Sequence, residues 1–154
     1  MWHNLITAFT NITCIFPIYR ALIQGDKVTA SVLGFVSMAS FVSHLAENHK
    51  HGMIGLFDVS QNTSWILNRI DVLGSILTIG RLMCLYYVKF GLNLSPVISN
   101  PIQWFLMLLP IVFLKISEYD KYNASLRDMY LVTHSMWHLS VFLSMDYYLK
   151  NVIY

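Results

Sequence analysis

Five apolar stretches, each close to the roughly 20 residues that a membrane-spanning helix needs, set the terms for this chain. They cover about 5–24, 28–46, 64–90, 101–116 and 125–149. The connectors between them are short and polar. Gln24-Gly25-Asp26-Lys27 reads as a tight turn. Asn100 followed by Pro101 reads as an N-cap with a proline at the first helical position. The longest connector runs from Glu47 to Thr63 and contains His49-Lys50-His51, which reads as a solvated loop. Composition supports the membrane class, since only 12% of residues are charged against roughly 25% in a soluble domain. A hydrophobic share of 56% excludes disorder. A net charge of +2 offers no basic field for nucleic acid. Cys14 and Cys84 lie inside apolar stretches, so they read as buried thiols rather than a disulfide scaffold.

The predicted architecture is therefore all-α: one polytopic transmembrane bundle over residues 1–154 with about five spanning helices. The protein is expected to be integral to the membrane and multi-pass, with the compartment left open. The first stretch has no basic region before it, and Arg20 follows it, so it reads as a mature helix rather than a signal peptide. Pro17 and Pro110 are expected to kink their helices, which membranes tolerate. The third stretch is long and contains Arg81. It reads either as one tilted helix or as two helices broken at Gly80-Arg81, each too short to cross comfortably.

Ionisable residues inside membrane segments are costly and mark function by default. Here they form a small set with helical spacing. Ser40 and His44 are four apart on the second stretch, Asp71 lies on the third, and His134 and His138 are four apart on the fifth. A spacing of four puts each pair on one helix face. With five up-and-down spans, the ends of helices two, three and five that carry these groups fall on one side of the membrane. Splitting the third stretch would move the histidine pair to the other side. Three imidazoles and a carboxylate converging in this way fit a tetrahedral zinc centre with one open position. Asp71 would then accept a proton from bound water or orient an imidazole. Ser40 would donate to a developing oxyanion. The competing reading keeps the histidines as interhelical hydrogen-bonding groups and pairs Asp71 with Arg69 or Arg81.

The pattern Ser40-x3-His44, then Asp71 within Asn68-Arg69-Ile70-Asp71-Val72-Leu73-Gly74, then His134-x3-His138 resembles the CREST superfamily. That group takes in alkaline ceramidases, the adiponectin and progestin receptors, and hydrolases that remodel the lipid of GPI anchors. The resemblance spans Ser40 to His138, about two-thirds of the chain. It implies an intramembrane zinc held by His44, His134 and His138, with Asp71 and Ser40 as the catalytic residues. It implies hydrolysis of a membrane-lipid amide or ester by a zinc-activated water. The alternative within the same fold is a receptor-like or scaffolding protein with a structural zinc. Family members usually have seven spans, so five would make this a reduced form. The start Met1-Trp2-His3-Asn4 lacks the acidic, calcium-binding segment of alkaline ceramidases, so calcium is not carried over.

The side that the site faces stays open. Lys50, Arg69, Lys115, Lys121 and Arg127 lie on its side, against Arg20, Lys27, Lys89 and Lys150 opposite, which points it to the cytoplasm. The sequons at Asn62 and Asn123 on that same side would require a lumenal face.

Overall fold

The computed structural model describes residues 2–47 and 59–154, and no strand occurs among them. Two short helices, α1 (Trp2–Thr10) and α2 (Ile15–Ile23), run through a 3-10 turn at Asn11–Cys14 and together make the first long segment. Pro17 has no N–H to give the carbonyl four residues earlier, and the helix tightens in the turn before it. The chain then reverses at Gly25, whose φ of 75° suits glycine. Asp26 caps α3 (Lys27–Leu45) by accepting from the Thr29 amide at 2.9 Å.

Ser60 caps α4 (Gln61–Phe90), a single helix of 30 residues that passes through Gly80-Arg81 unbroken. At 1.5 Å per residue it is roughly 45 Å long. Its stop is Gly91, with φ 61°. After the short α5 (Ser95–Ile98), Asn100 accepts from the Gln103 amide and Pro101 opens α6 (Pro101–Lys121), as the sequence predicted. α6 continues through Pro110. It is followed by α7 (Arg127–Tyr148) and a closing π-turn at Leu149–Ile153.

Four segments are long and apolar enough to cross a membrane: Asn4–Ile23, Lys27–Leu45, Gln61–Phe90 and Pro101–Lys121. α7, with 22 residues, matches them in length but is more polar, because His134, His138, Ser140 and Ser144 lie on its buried face. It is the central helix. α6, α1 and α2 all pack on it, while α3 packs on α1 and α2 and carries α4 on its other flank. α4 and α3 come close where a Cβ on Gly74 would sit 3.1 Å from the Val36 backbone, the small-residue contact common between membrane helices.

The surface is the reverse of a soluble protein's. Isoleucines, leucines and valines of α4 and α6 point outward, and among the described residues the buried polar side chains outnumber the buried apolar ones. Trp65 and Trp104 lie exposed near helix ends, as an interfacial belt requires. Cys14 is buried as expected, with its thiol against the Leu33 carbonyl. Cys84 corrects the sequence reading, for it is exposed on α4. On a helix whose outer face is apolar, an apolar neighbourhood in sequence does not mean burial.

Candidate metal centre

His44, near the C-terminal end of α3, meets His134 and His138, one turn apart toward the middle of α7. The three ring centroids lie 4.8–4.9 Å apart. All three residues are buried, and their candidate ligand atoms lie within 4.8 Å of one another, so the group could hold a metal ion. α4 is one helix, and the ends of α3, α4 and α7 that carry these residues come together.

The hydrogen bonds around the rings decide which nitrogens face inward. His44 Nδ1 is 3.0 Å from a carboxylate oxygen of Glu47. An ionised carboxylate only accepts, so this nitrogen carries the proton. His134 Nδ1 is 3.2 Å from Ser117 Oγ, whose own proton goes to the Leu114 carbonyl at 2.9 Å. The hydroxyl therefore accepts from the ring. His138 Nδ1 is 3.2 Å from the Thr7 carbonyl and 2.8 Å from Thr10 Oγ1, which itself donates to Thr7 O. This ring too must donate from Nδ1. Assigned from the network in this way, all three histidines present bare Nε2 lone pairs to the centre.

Two consequences follow. His44 Nε2 and His134 Nε2 sit 3.2 Å apart. A tetrahedral ion with nitrogen ligands at roughly 2.0–2.1 Å places them about 3.3 Å from each other. Two lone pairs facing at that distance repel, and a cation between them turns the repulsion into attraction. His138 Nε2 is buried and has no hydrogen-bond partner among the described residues. A buried lone pair without a partner is costly, and a metal would satisfy it. The donor set fits a borderline cation such as zinc, and each ligand has the outer partner that metal-bound histidines usually keep.

Asp71 and Ser40 face each other beside this group. Asp71 is buried on α4, faces Ser40, and lies in the field of His44, Glu47 and Lys121. Ser40 Oγ is buried and makes no hydrogen bond of ordinary geometry with a described residue. The proposed structural partners of Asp71 are engaged elsewhere. Arg69 lies over the Trp65 ring at 5.0 Å, and Arg81 binds Asp26 near the opposite end of the bundle.

The outer shell is what the sequence reading missed. Glu47, assigned there to a connector, is buried and bridges His44 to Lys121, with Lys121 Nζ 2.8 Å from its other oxygen. Tyr130 OH lies 3.5 Å from Glu47, and Asn4 donates to the Glu47 backbone carbonyl at 2.9 Å. Thr7 and Thr10 bring the first helix into the site. Only Glu47 left a signal, an acid three residues after a candidate ligand. His49, Lys50 and His51 lie outside the described residues.

A protein of Acanthamoeba polyphaga mimivirus, named Uncharacterized protein L282, is 48% identical over 153 residues, which is 98% of this chain and 99% of that one. No protein-family model and no solved structure matches the chain.

Proposed function

We propose, on the premise that this chain belongs to one family with the mimivirus protein L282, that it is a zinc-dependent membrane hydrolase of lipid amides or esters. In this reading the bundle crosses the membrane five times, with α7 as the fifth span because its polar face is turned inward. The reading also makes the chain a reduced member of the CREST superfamily. The observation that carries it is the set of three inward Nε2 lone pairs, each fixed by an Nδ1 partner, with an acid and a hydroxyl that face each other beside them.

His44, His134 and His138 would hold the ion, and three protein ligands leave a fourth position open. Bound zinc supplies Lewis acidity and lowers the pKa of water to near 7. The remaining work falls to the chain. The Asp71 carboxylate takes the proton of the attacking water and returns it to the departing amine or alcohol. Ser40 Oγ–H donates to the substrate carbonyl oxygen as charge builds on it. Glu47 and Ser117 hold their imidazoles in the Nδ1–H form. The buried setting strengthens each of these interactions by excluding water.

Elemental analysis of the detergent-purified chain tests the reading. Wild type is expected to carry about one zinc per chain, and His134→Ala/His138→Ala none. Asp71→Asn is expected to keep the zinc while fatty-acid release from ceramide or phospholipid falls by roughly 10²–10⁴-fold. Equal zinc loss in Asp71→Asn would make Asp71 a structural partner. Zinc without release of fatty acid from any lipid would favour the receptor-like or scaffolding role.

A further inference from the structure

α4 joins the bundle on one flank. Among the described residues it packs on α3 and, at its far end, on the closing turn, where Lys89 donates to the carbonyls of Val152 and Ile153. Its buried residues are Asp71, Gly74 and Thr78, which the helical repeat puts on one face. α3 answers with Val36, Ser40 and His44, each four residues from the next and all buried. The pairings run in opposite directions along the two helices: Asp71 faces Ser40, Gly74 touches Val36, and Arg81 reaches Thr29. At the level of Asp71, then, α3 alone fixes where α4 stands.

The tightest point of that contact is Gly74. A Cβ built there would lie 3.1 Å from the Cα, the Cβ and the Cγ2 of Val36. The Cα belongs to the backbone of α3 and cannot rotate out of the way, so a side chain at position 74 drives the two helices apart. The neighbouring Thr78 adds no demand of its own, because its hydroxyl donates to the Gly74 carbonyl at 2.9 Å within α4. Glycine is a poor residue for a helix interior, and α4 has two of them. Gly80 is exposed, and an added Cβ there meets open space. Of the two, Gly74 is the one with a packing reason.

We propose that Gly74 is the positioning residue for Asp71. By letting the α4 backbone touch α3 three residues from the acid, it sets how closely the Asp71 carboxylate approaches Ser40 and the histidine cluster. It acts through Asp71 alone. Its consequence for catalysis rests on the hydrolase reading, whereas its effect on the approach of Asp71 to Ser40 does not.

The full chain carrying Ser40→Cys/Asp71→Cys, in phosphatidylcholine nanodiscs, is oxidised with copper phenanthroline, and the bridge between positions 40 and 71 is followed by peptide mass. Disulfide formation depends steeply on distance, so it reads the approach of the two positions without zinc or hydrolysis. Adding Gly74→Val is expected to slow the bridge about tenfold. Gly80→Val, which replaces a glycine of the same helix in open space, is expected to leave the rate unchanged. Val36→Gly added to Gly74→Val removes the crowded Cβ and Cγ2 and is expected to restore most of the rate. A role in helix stability alone predicts the opposite, because a further glycine weakens a helix. Bridging as fast with Gly74→Val as without it, or no bridge in the starting pair, would overturn the proposal. If Gly74→Val does not fold, Gly74→Ala takes its place, since its Cβ alone already meets Val36. In the otherwise native chain, Gly74→Val is expected to keep about one zinc, whose ligands stand on α3 and α7, and to release fatty acid about 10²-fold more slowly. A wild type that releases no fatty acid sinks the hydrolase reading, and the bridging rates then decide the role of Gly74 by themselves.

Discussion

The bundle carries a polar cluster toward each end, and the two are built on different rules. Around Asp26 every strong group is closed by another. One carboxylate oxygen accepts from the Thr29 amide and the Arg81 guanidinium, each at 2.9 Å. The other accepts from Thr29 Oγ1, Arg81 and the Tyr154 hydroxyl. Nearby, Arg20 holds Asp146 with two hydrogen bonds, and Lys89 donates to the carbonyls of Val152 and Ile153, tying down the last turn. Around the histidines the outer rim is closed in the same way, by Glu47, Ser117 and Thr7. The inner rim is not: His138 Nε2 lacks a partner among the described residues, and Ser40 Oγ faces only the Asp71 carboxylate. Apolar surroundings penalise every unpaired polar atom, so a cluster that closes on itself serves the fold. A cluster closed outside and open inside has the form of a group that could hold an ion.

Substitutions at the two ends should separate these roles. Glu47→Gln keeps the shape but takes the charge from beside His44 Nδ1. The expected result is zinc affinity 10–100-fold weaker, measured by competition with a zinc-binding dye, with a near wild-type melting temperature. Arg81→Leu removes the main partner of Asp26. It is expected to cost about 2 kcal/mol of stability, read from thermal melting in detergent, with zinc affinity unchanged. If Glu47→Gln lowered the melting temperature and left zinc binding intact, both clusters would be structural and the contrast would fail.

Much of this was legible in the sequence, and the reason is physical. Ionisable residues are so unfavourable in apolar helices that His44, Asp71, His134 and His138 stand out without structural help, and a spacing of four gives the faces of the paired ones. Chain parity then brings the helix ends together, which required α4 to be one helix, as it is. The partners of the ligands were not legible, because common residues supply them. Thr7 acts through its backbone carbonyl, and Ser117 is one serine among many. Glu47 looked like part of a connector because α3 ends at Leu45, two residues before it. Cys84 shows the complementary failure, since apolar sequence on a membrane helix cannot tell lipid from core.

The smallest expected effect is the acid limb of the closed cluster. Asp26 lies in the turn between α2 and α3. Burial by itself would raise its carboxyl, but the Thr29 hydroxyl and amide and the Arg81 guanidinium together hold it below the usual carboxylate value. A folded-state pKa below the unfolded one gives stability that is fully present above the unfolded value, about 3.9. That stability is lost as pH falls through the folded value. This contribution should therefore stay level from neutral pH down to about pH 5 and decline only below about pH 4. Arg81→Leu moves the folded pKa toward the unfolded one. The variant should begin below the wild type in melting temperature at pH 7, and the gap should narrow as the pH drops. A gap that stays constant into acid would mean that the Thr29 cap alone holds the Asp26 carboxylate. The closed end of the bundle would then be fastened within α3 rather than between α3 and α4.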